Sequence, residues 1–481
     1  MHNYIWVFLE KLSLIVIKLI FMAIAARLIT PDIFGVFAIA IFLVSSLWLI
    51  VDSGMAGSVI KEKYVDEQDY YTLNYFNVVV SVILSFALFL LAGVIAEYYQ
   101  KIELASVLKA LSLTLIFRAF SNVYVAYFCR ELRFAEQAKL SAVSAIISVV
   151  VTLMLMWQGW TLWALVTQQI LESFLILFFL VYLSKVNFFK FQFNKEKFKK
   201  HFGFGTRLSL ASLVESSFPN IILNQVNAVG GIKTVGNYSQ NVKVSDLFIG
   251  IMTMTLDKVM MPVMAKTVNT KRDLVKYINQ TIMYFSVFSY FCITLLVVCA
   301  NEIVFILLGK QWVNSAWMLS LIAYCGFAQI IEMVCRSVLK SQGKSQQILS
   351  ISILKLLALV VVILSFRQFD IKQMLFALIG LSWVSVVFYV ITIQKYIGIN
   401  MLTCLKPVTK SGLASGLALF FYYSFFETPV YLTYYQNSVS LISKVGFIFV
   451  IYVISLSLLG FPVLQEIKAI RSKILFNRMK K

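Results

Sequence analysis

Charge is what this 481-residue chain has least of: Asp, Glu, Lys and Arg make up only 13% of it, about half the ~25% of soluble domains. So few charges cannot dress a water-facing surface of that size, which argues against a soluble globular fold. Histidine is almost missing, with only His2 and His201, so most metal centres and proton shuttles lack their usual ligands. The six cysteines, Cys129, Cys292, Cys299, Cys325, Cys335 and Cys404, stand singly through the apolar runs. They form no CxxC and no metal spacing, and we read them as inert core residues. No nucleophile–base pair, phosphate-cradling glycine loop or metal cluster can be found, so we expect neither an enzyme nor a cofactor. Long polar Pro/Gly/Ser-rich linkers are missing too, and no appended soluble domain is expected. The first apolar run begins almost at Met1 without a small-residue cleavage site, which argues against a cleaved signal.

What fills the chain instead is apolar: 60% of residues are hydrophobic, in runs of roughly 20 residues that recur from end to end. The expected fold class is an all-α polytopic membrane protein of about fourteen transmembrane helices. We place the spans near 4–28, 34–60, 71–96, 104–128, 136–157, 161–184, 204–228, 236–262, 277–300, 314–339, 345–366, 373–394, 403–426 and 439–461. The scarce charges are unevenly placed. Lysines and arginines number 29 on one set of alternate loops and the C-terminal tail. The opposite set holds seven: Arg27, Lys101, Lys233, Lys310, Arg367, Lys372 and Lys444. Cytoplasmic loops carry the excess of positive charge, so both termini are expected in the cytoplasm, with an even number of spans. The net charge of +20 is then a topology signal, and no nucleic-acid partner is expected.

One stretch organises this pattern. Ala25-Ala26-Arg27-Leu28-Ile29-Thr30-Pro31-Asp32-Ile33-Phe34-Gly35 closes one apolar run and opens the next. Pro31 cannot continue a helix, Asp32 suits a helix start, and Gly35 permits close backbone approach. A shorter echo, Val229-Gly230-Gly231-Ile232-Lys233-Thr234-Val235-Gly236-Asn237-Tyr238, joins two later runs, and Leu111-Ser112-Leu113 finds its match in Leu319-Ser320-Leu321. Aligning Gly35 with Gly236 sets spans 1–6 against spans 7–12, in one orientation about a pseudo-two-fold axis along the membrane normal. The expected organisation is an N-lobe over 1–184, a basic cytoplasmic linker over 185–203, a C-lobe over 204–398, and two extra helices with a basic tail over 399–481.

The first motif, with Val51-Asp52-Ser53-Gly54-Met55-Ala56-Gly57, Arg130-Glu131-Leu132-Arg133-Phe134, Trp163-Ala164-Leu165-Val166-Thr167-Gln168-Gln169 and Gly231 to Tyr238, resembles the polysaccharide flippases of the Wzx type. These belong to the multidrug/oligosaccharidyl-lipid/polysaccharide exporter superfamily. The resemblance covers most of spans 1–12. It implies two six-helix lobes around a central cleft, alternating access, and a polyprenyl-diphosphate-linked oligosaccharide as substrate. It also implies membrane lipid as a partner, with a polysaccharide polymerase and a chain-length regulator as further ones. Relatives often carry an acidic residue in the middle of span 7; here that region holds Asn220 and Asn224, with Glu215 about two turns earlier.

Charges inside spans are the remaining candidates, since each is costly in hydrocarbon unless it meets water or a partner. Lys11 and Lys18 share a face of span 1, with Glu10 near; Arg118 and Lys355 lie at mid-depth in spans 4 and 11. These four are the expected substrate-binding cations, suited to a diphosphate. The competing possibility is an internal ion pair with Glu10, Glu172 or Glu215. Asp52, Glu215 and Asp246 are the ion-coupling candidates. Asp246 is also spaced to pair with Lys243, and Glu332 with Arg336. Asn220, Asn224 and Asn227 either bind sugar hydroxyls or bond helix to helix, and we favour the second. Three rival functions share many of these features: a multidrug or ion antiporter, a membrane-embedded polymerase or glycosyltransferase, and a channel.

Overall fold

The helix over Glu67–Tyr98 shows which solvent this fold is built for. Its inward positions are Asn74, Asn77, Ser81, Ser85, Leu88, Ala92 and Ala96, while Val82, Ile83, Phe86, Phe89, Leu90 and Val94 face outward. A helix with small and polar groups inside and large apolar groups outside is at home in lipid, where close packing and hydrogen bonds replace the hydrophobic drive.

The computed structural model describes the backbone over 17–460, apart from 53, 63, 191, 268–270, 343, 366–369, 399, 402–404 and 427–436. Side chains at 203–212, 215, 251–274 and a few isolated positions also lie outside the described residues. The described regular elements are helices: α1 (17–28), α2 (Pro31–Asp52), α3 (Met55–Lys61), α4 (Glu67–Tyr98), α5 (Glu103–Arg130), α6 (Phe134–Trp157), α7 (Thr161–Ser184) and α8 (Lys195–Thr267). Then come α9 (Lys271–Val298), α10 (Ala300–Leu307), a 3-10 turn (Lys310–Ser315), α11 (Ala316–Ser341), α12 (Ser345–Ser365), α13 (Ile371–Ile397), α14 (Lys406–Phe426) and α15 (Asn437–Leu458). Among the described residues, ten helices are long and apolar enough to cross a membrane.

Two junctions differ from the expected spans. The run expected at 34–60 breaks between α2 and α3 at Gly54, whose φ of 66° is left-handed. The loop expected between spans 7 and 8 is a kink within α8 at Gly231, with φ 70° and ψ 179°. Glycine adopts such angles without the steric cost a Cβ would bring.

The chain forms two compact units. The first holds the described residues up to Gln240 together with Leu307–Trp312. One of its cores is aromatic, with Phe188 at its centre, stacked on Tyr70 and flanked by Tyr71, Tyr124 and Tyr127. Phe188 is held along its backbone as well: Asn74 Nδ2 donates to its carbonyl (2.7 Å), and its N–H donates to Tyr124 Oη (3.2 Å). The segment after α7 is therefore fastened to α4 and α5. The second unit holds Asn241–Ile306 with Val313 onward. Its core packs α9, α11, α12 and α13 around Tyr290, Phe327, Tyr389 and Ile393. Tyr290 Oη donates to the Phe327 carbonyl (3.0 Å), and Tyr452 on α15 donates to the Val287 carbonyl (2.8 Å).

Candidate functional site

In the first unit, the charges within the spans are sparsely partnered. Lys18 on α1 is exposed and makes no hydrogen bond or ion pair among the described residues. Lys11 and Glu10 lie outside the described residues. Arg118 sits half-buried near the middle of α5. Glu172 on α7 is the opposite charge acting on it, without reaching ion-pair distance among the described residues. One turn further along α5, Asn122 Nδ2 donates to Asp52 Oδ1 (2.8 Å) at the end of α2. Arg118 and Asn122 thus share one face of α5, and Asn122 links that face to Asp52 beside the Gly54 break. Asn220 donates to Ser46 Oγ (3.0 Å), and Tyr99 donates to Asn224 Oδ1 (3.2 Å). Those two asparagines bond α8 to α2 and to the end of α4. Glu215 lies in α8 with its side chain outside the described residues.

The second unit is knit more tightly. Glu332 on α11 is 6% exposed and takes Lys355 Nζ from α12 on both oxygens (3.0 and 2.9 Å). Ser385 of α13 donates to its Oε2 (3.0 Å), and Arg336 stands 3.6 Å from Oε1. The expected Glu332–Arg336 pair exists, yet Lys355 is the closer cation. One carboxylate therefore ties three helices, and Lys355 is committed to it. Asp246 is exposed and forms no ion pair among the described residues, so its expected pairing with Lys243 does not occur. A further pair, Lys444 Nζ to Glu302 Oε1 (2.6 Å), joins α15 to α10. Glu302 falls between the expected spans 277–300 and 314–339 and is not among the sequence candidates; its signal is a lone acid beside an apolar run.

The Arg130–Phe134 motif has a structural cause. Arg130 donates to the carbonyls of Val59 and Glu62 at the end of α3. Carbonyls at the end of a helix generally lack an intrahelical donor. Leu132 takes a left-handed φ of 55°, and Arg133 pairs with Glu136 while lying over the Phe128 ring. Beside it, buried His201 bridges Ser58 Oγ at Nδ1 and Asp69 Oδ1 at Nε2, both 3.0 Å. Lys197 bonds Asp66 and Asp69, and Lys200 pairs with Glu62. Ser58 is 7% exposed with its hydroxyl engaged, so this Ser–His–Asp set is a brace between elements rather than a nucleophile open to substrate.

The polysaccharide biosynthesis protein family model matches residues 24–317. The succinoglycan biosynthesis transport protein ExoT of Rhizobium meliloti (strain 1021) is 22% identical over 50% of this chain and 48% of its own. The lipopolysaccharide biosynthesis protein WzxC of Escherichia coli (strain K12) is 20% identical, over 70% of this chain and 69% of its own. The teichuronic acid biosynthesis protein TuaB of Bacillus subtilis (strain 168) is 22% identical, over 62% of each. Among solved structures, the lipid II flippase MurJ in an inward closed conformation aligns over 96% of this chain and 99% of its own, at 12% identity and a TM-score of 0.73. A multidrug resistance MATE family transporter of the MOP superfamily, inward-facing, aligns over 82% of this chain and 94% of its own, at 13% identity and a TM-score of 0.62. The fold is therefore that of the MurJ and MATE transporters, and the chain belongs to the polysaccharide biosynthesis protein family.

Proposed function

We propose that this chain is a flippase that carries a polyprenyl-diphosphate-linked oligosaccharide repeat unit from the cytoplasmic to the outer leaflet of the bacterial inner membrane. Family membership supports the substrate class: the relatives are named for three different polymers, so the reading names a class and not a sugar. The observation that carries it is the pair of cations Lys18 and Arg118, set within membrane helices without an ion-pair partner among the described residues. A charge at that depth costs about 3 kcal/mol or more unless water or an opposite charge meets it. A diphosphate supplies that charge, to lysine as a point contact and to arginine as a fork. Lys11, seven residues before Lys18 in the sequence, is the further cation we assign to the same path; Lys355, held by Glu332, serves first as a helix tie.

Glycan and diphosphate travel through a hydrated path while the polyprenyl tail stays in lipid. The chain has no nucleotide motif, so an ion gradient drives the cycle. Asp52, bonded by the neutral amide of Asn122, and Asp246 both lack a paired cation among the described residues, and are the described carboxylates suited to exchange an ion. Glu215 is the third coupling candidate. The asymmetry of lysine and arginine supports cytoplasmic termini. The protein transports and makes no covalent change; a polymerase and a chain-length regulator would act on its product. The test is complementation of a deletion strain with Arg118→Met and Arg118→Lys. Export should fall at least tenfold in the first and partly survive in the second, at equal membrane abundance. Full export by Arg118→Met would remove Arg118 from the path.

A further inference from the structure

The two motif glycines meet each other's loops in one reciprocal contact. A Cβ on Gly35 would run into the carbonyl of Ile232, falling 2.9 Å from its carbon. A Cβ on Gly236 would run into the carbonyl of Pro31, 2.7 Å from its carbon and 3.0 Å from the Gly35 nitrogen. Each glycine touches the residue four positions before the other, the register expected if the two loops are repeats of one element. Backbone lies against backbone there, at a separation no other residue permits.

A third segment fastens this contact. Gln311 Nε2 donates to the carbonyls of Ala26 (2.6 Å) and Ile29 (3.0 Å), and Trp312 Nε1 donates to Ala26 (2.7 Å). The Trp312 ring meets Phe34 edge-on at 5.5 Å. Ala26 lies in the last turn of α1 and Ile29 just beyond it, where carbonyls lack intrahelical donors and accept from water just as readily. Every bond in the set can therefore be exchanged for water at little cost. Gln240, one turn beyond Gly236, is fully buried with both ends of its amide unpaired, so it gains partners when the contact opens.

All three segments carry residues of the cation-poor loops, Arg27, Lys233 and Lys310, and so belong to one face of the membrane. We propose that residues 26–35, 231–236 and 307–312 form a latch that closes the outer face, and that Gly35 and Gly236 allow it to shut. This rests on the transporter reading, because only a path opened by turns needs a contact that breaks.

Nitroxide labels on Asp32→Cys and Lys233→Cys test it, in the full chain freed of its native cysteines and reconstituted in lipid bilayers without substrate. With both glycines present, the label distances should be dominated by a short population. Gly35→Ala and Gly236→Ala should lower the short-to-long ratio at least tenfold. Gly93→Ala, where a Cβ meets nothing within 4 Å, should leave it unchanged. Trp312→Phe keeps an aromatic ring but loses the indole N–H donor and some buried packing, and should lower the ratio at least fivefold even if the alanine variants fail to fold. An unaltered short population in the glycine variants, or in Trp312→Phe if those do not fold, would overturn the latch. If the distances move as expected but the protein carries no lipid-linked diphosphate oligosaccharide, the flippase reading fails and the latch stands.

Discussion

Lys18 and Lys355 are both lysines within apolar helices, but their surroundings differ. Lys18 is exposed and forms no ion pair among the described residues. Lys18→Met should keep normal membrane abundance and lose export at least tenfold, while Lys18→Arg should keep part of it, measured by complementation with protein level alongside. Lys355 closes on buried Glu332. Glu332→Gln or Lys355→Met should each cost about 3 kcal/mol, and replacing both by apolar residues should recover most of the loss, read from thermal unfolding in detergent. The presence of these charges was legible in the sequence, since a charge in an apolar run stands out. Their partners were legible only along one helix. Spacing offered Glu332 the nearby Arg336, at 3.6 Å, and had no means of finding Lys355 on the next helix, at 2.9 Å. Even along one helix spacing can mislead: Lys243 and Asp246 stand three apart on α8 and do not pair.

At the scale of the element, apolar length located most helices to within a few residues, because hydrocarbon thickness sets how long a span must be. Junctions that depend on a single backbone angle were less legible. Gly231 turns an expected loop into a kink, and Gly54 turns one expected span into two helices. The linker over 185–203 was readable as basic but not as anchored, because Phe188 finds its place only among tyrosines from α4 and α5. Phe188→Ala should cost about 3–5 kcal/mol through the cavity it leaves. It should lower the melting temperature, and export should fall only in step with protein abundance. Export lost at unchanged abundance and stability would instead give the linker a direct part in transport.

For the whole molecule, the uneven placement of lysine and arginine makes a topology that fusions can read. Reporters after residues near Lys63, Lys197 and Lys271 should score cytoplasmic, and those near Lys101, Lys310 and Thr433 external. A cytoplasmic score near Thr433 would reassign the last two spans. The proposed flippase function draws on a family match over residues 24–317 and on a MurJ-like fold, with Lys18 and Arg118 as the contacts proposed for an anionic substrate. Its most direct test is to delete the gene in a strain with no second flippase of this family, and to measure surface glycan and lipid-linked repeat unit together. The glycan should disappear while the lipid-linked unit still forms and collects on the cytoplasmic leaflet, and the wild-type gene should restore export. Surface glycan of normal amount and length in the deletion strain would contradict the assignment.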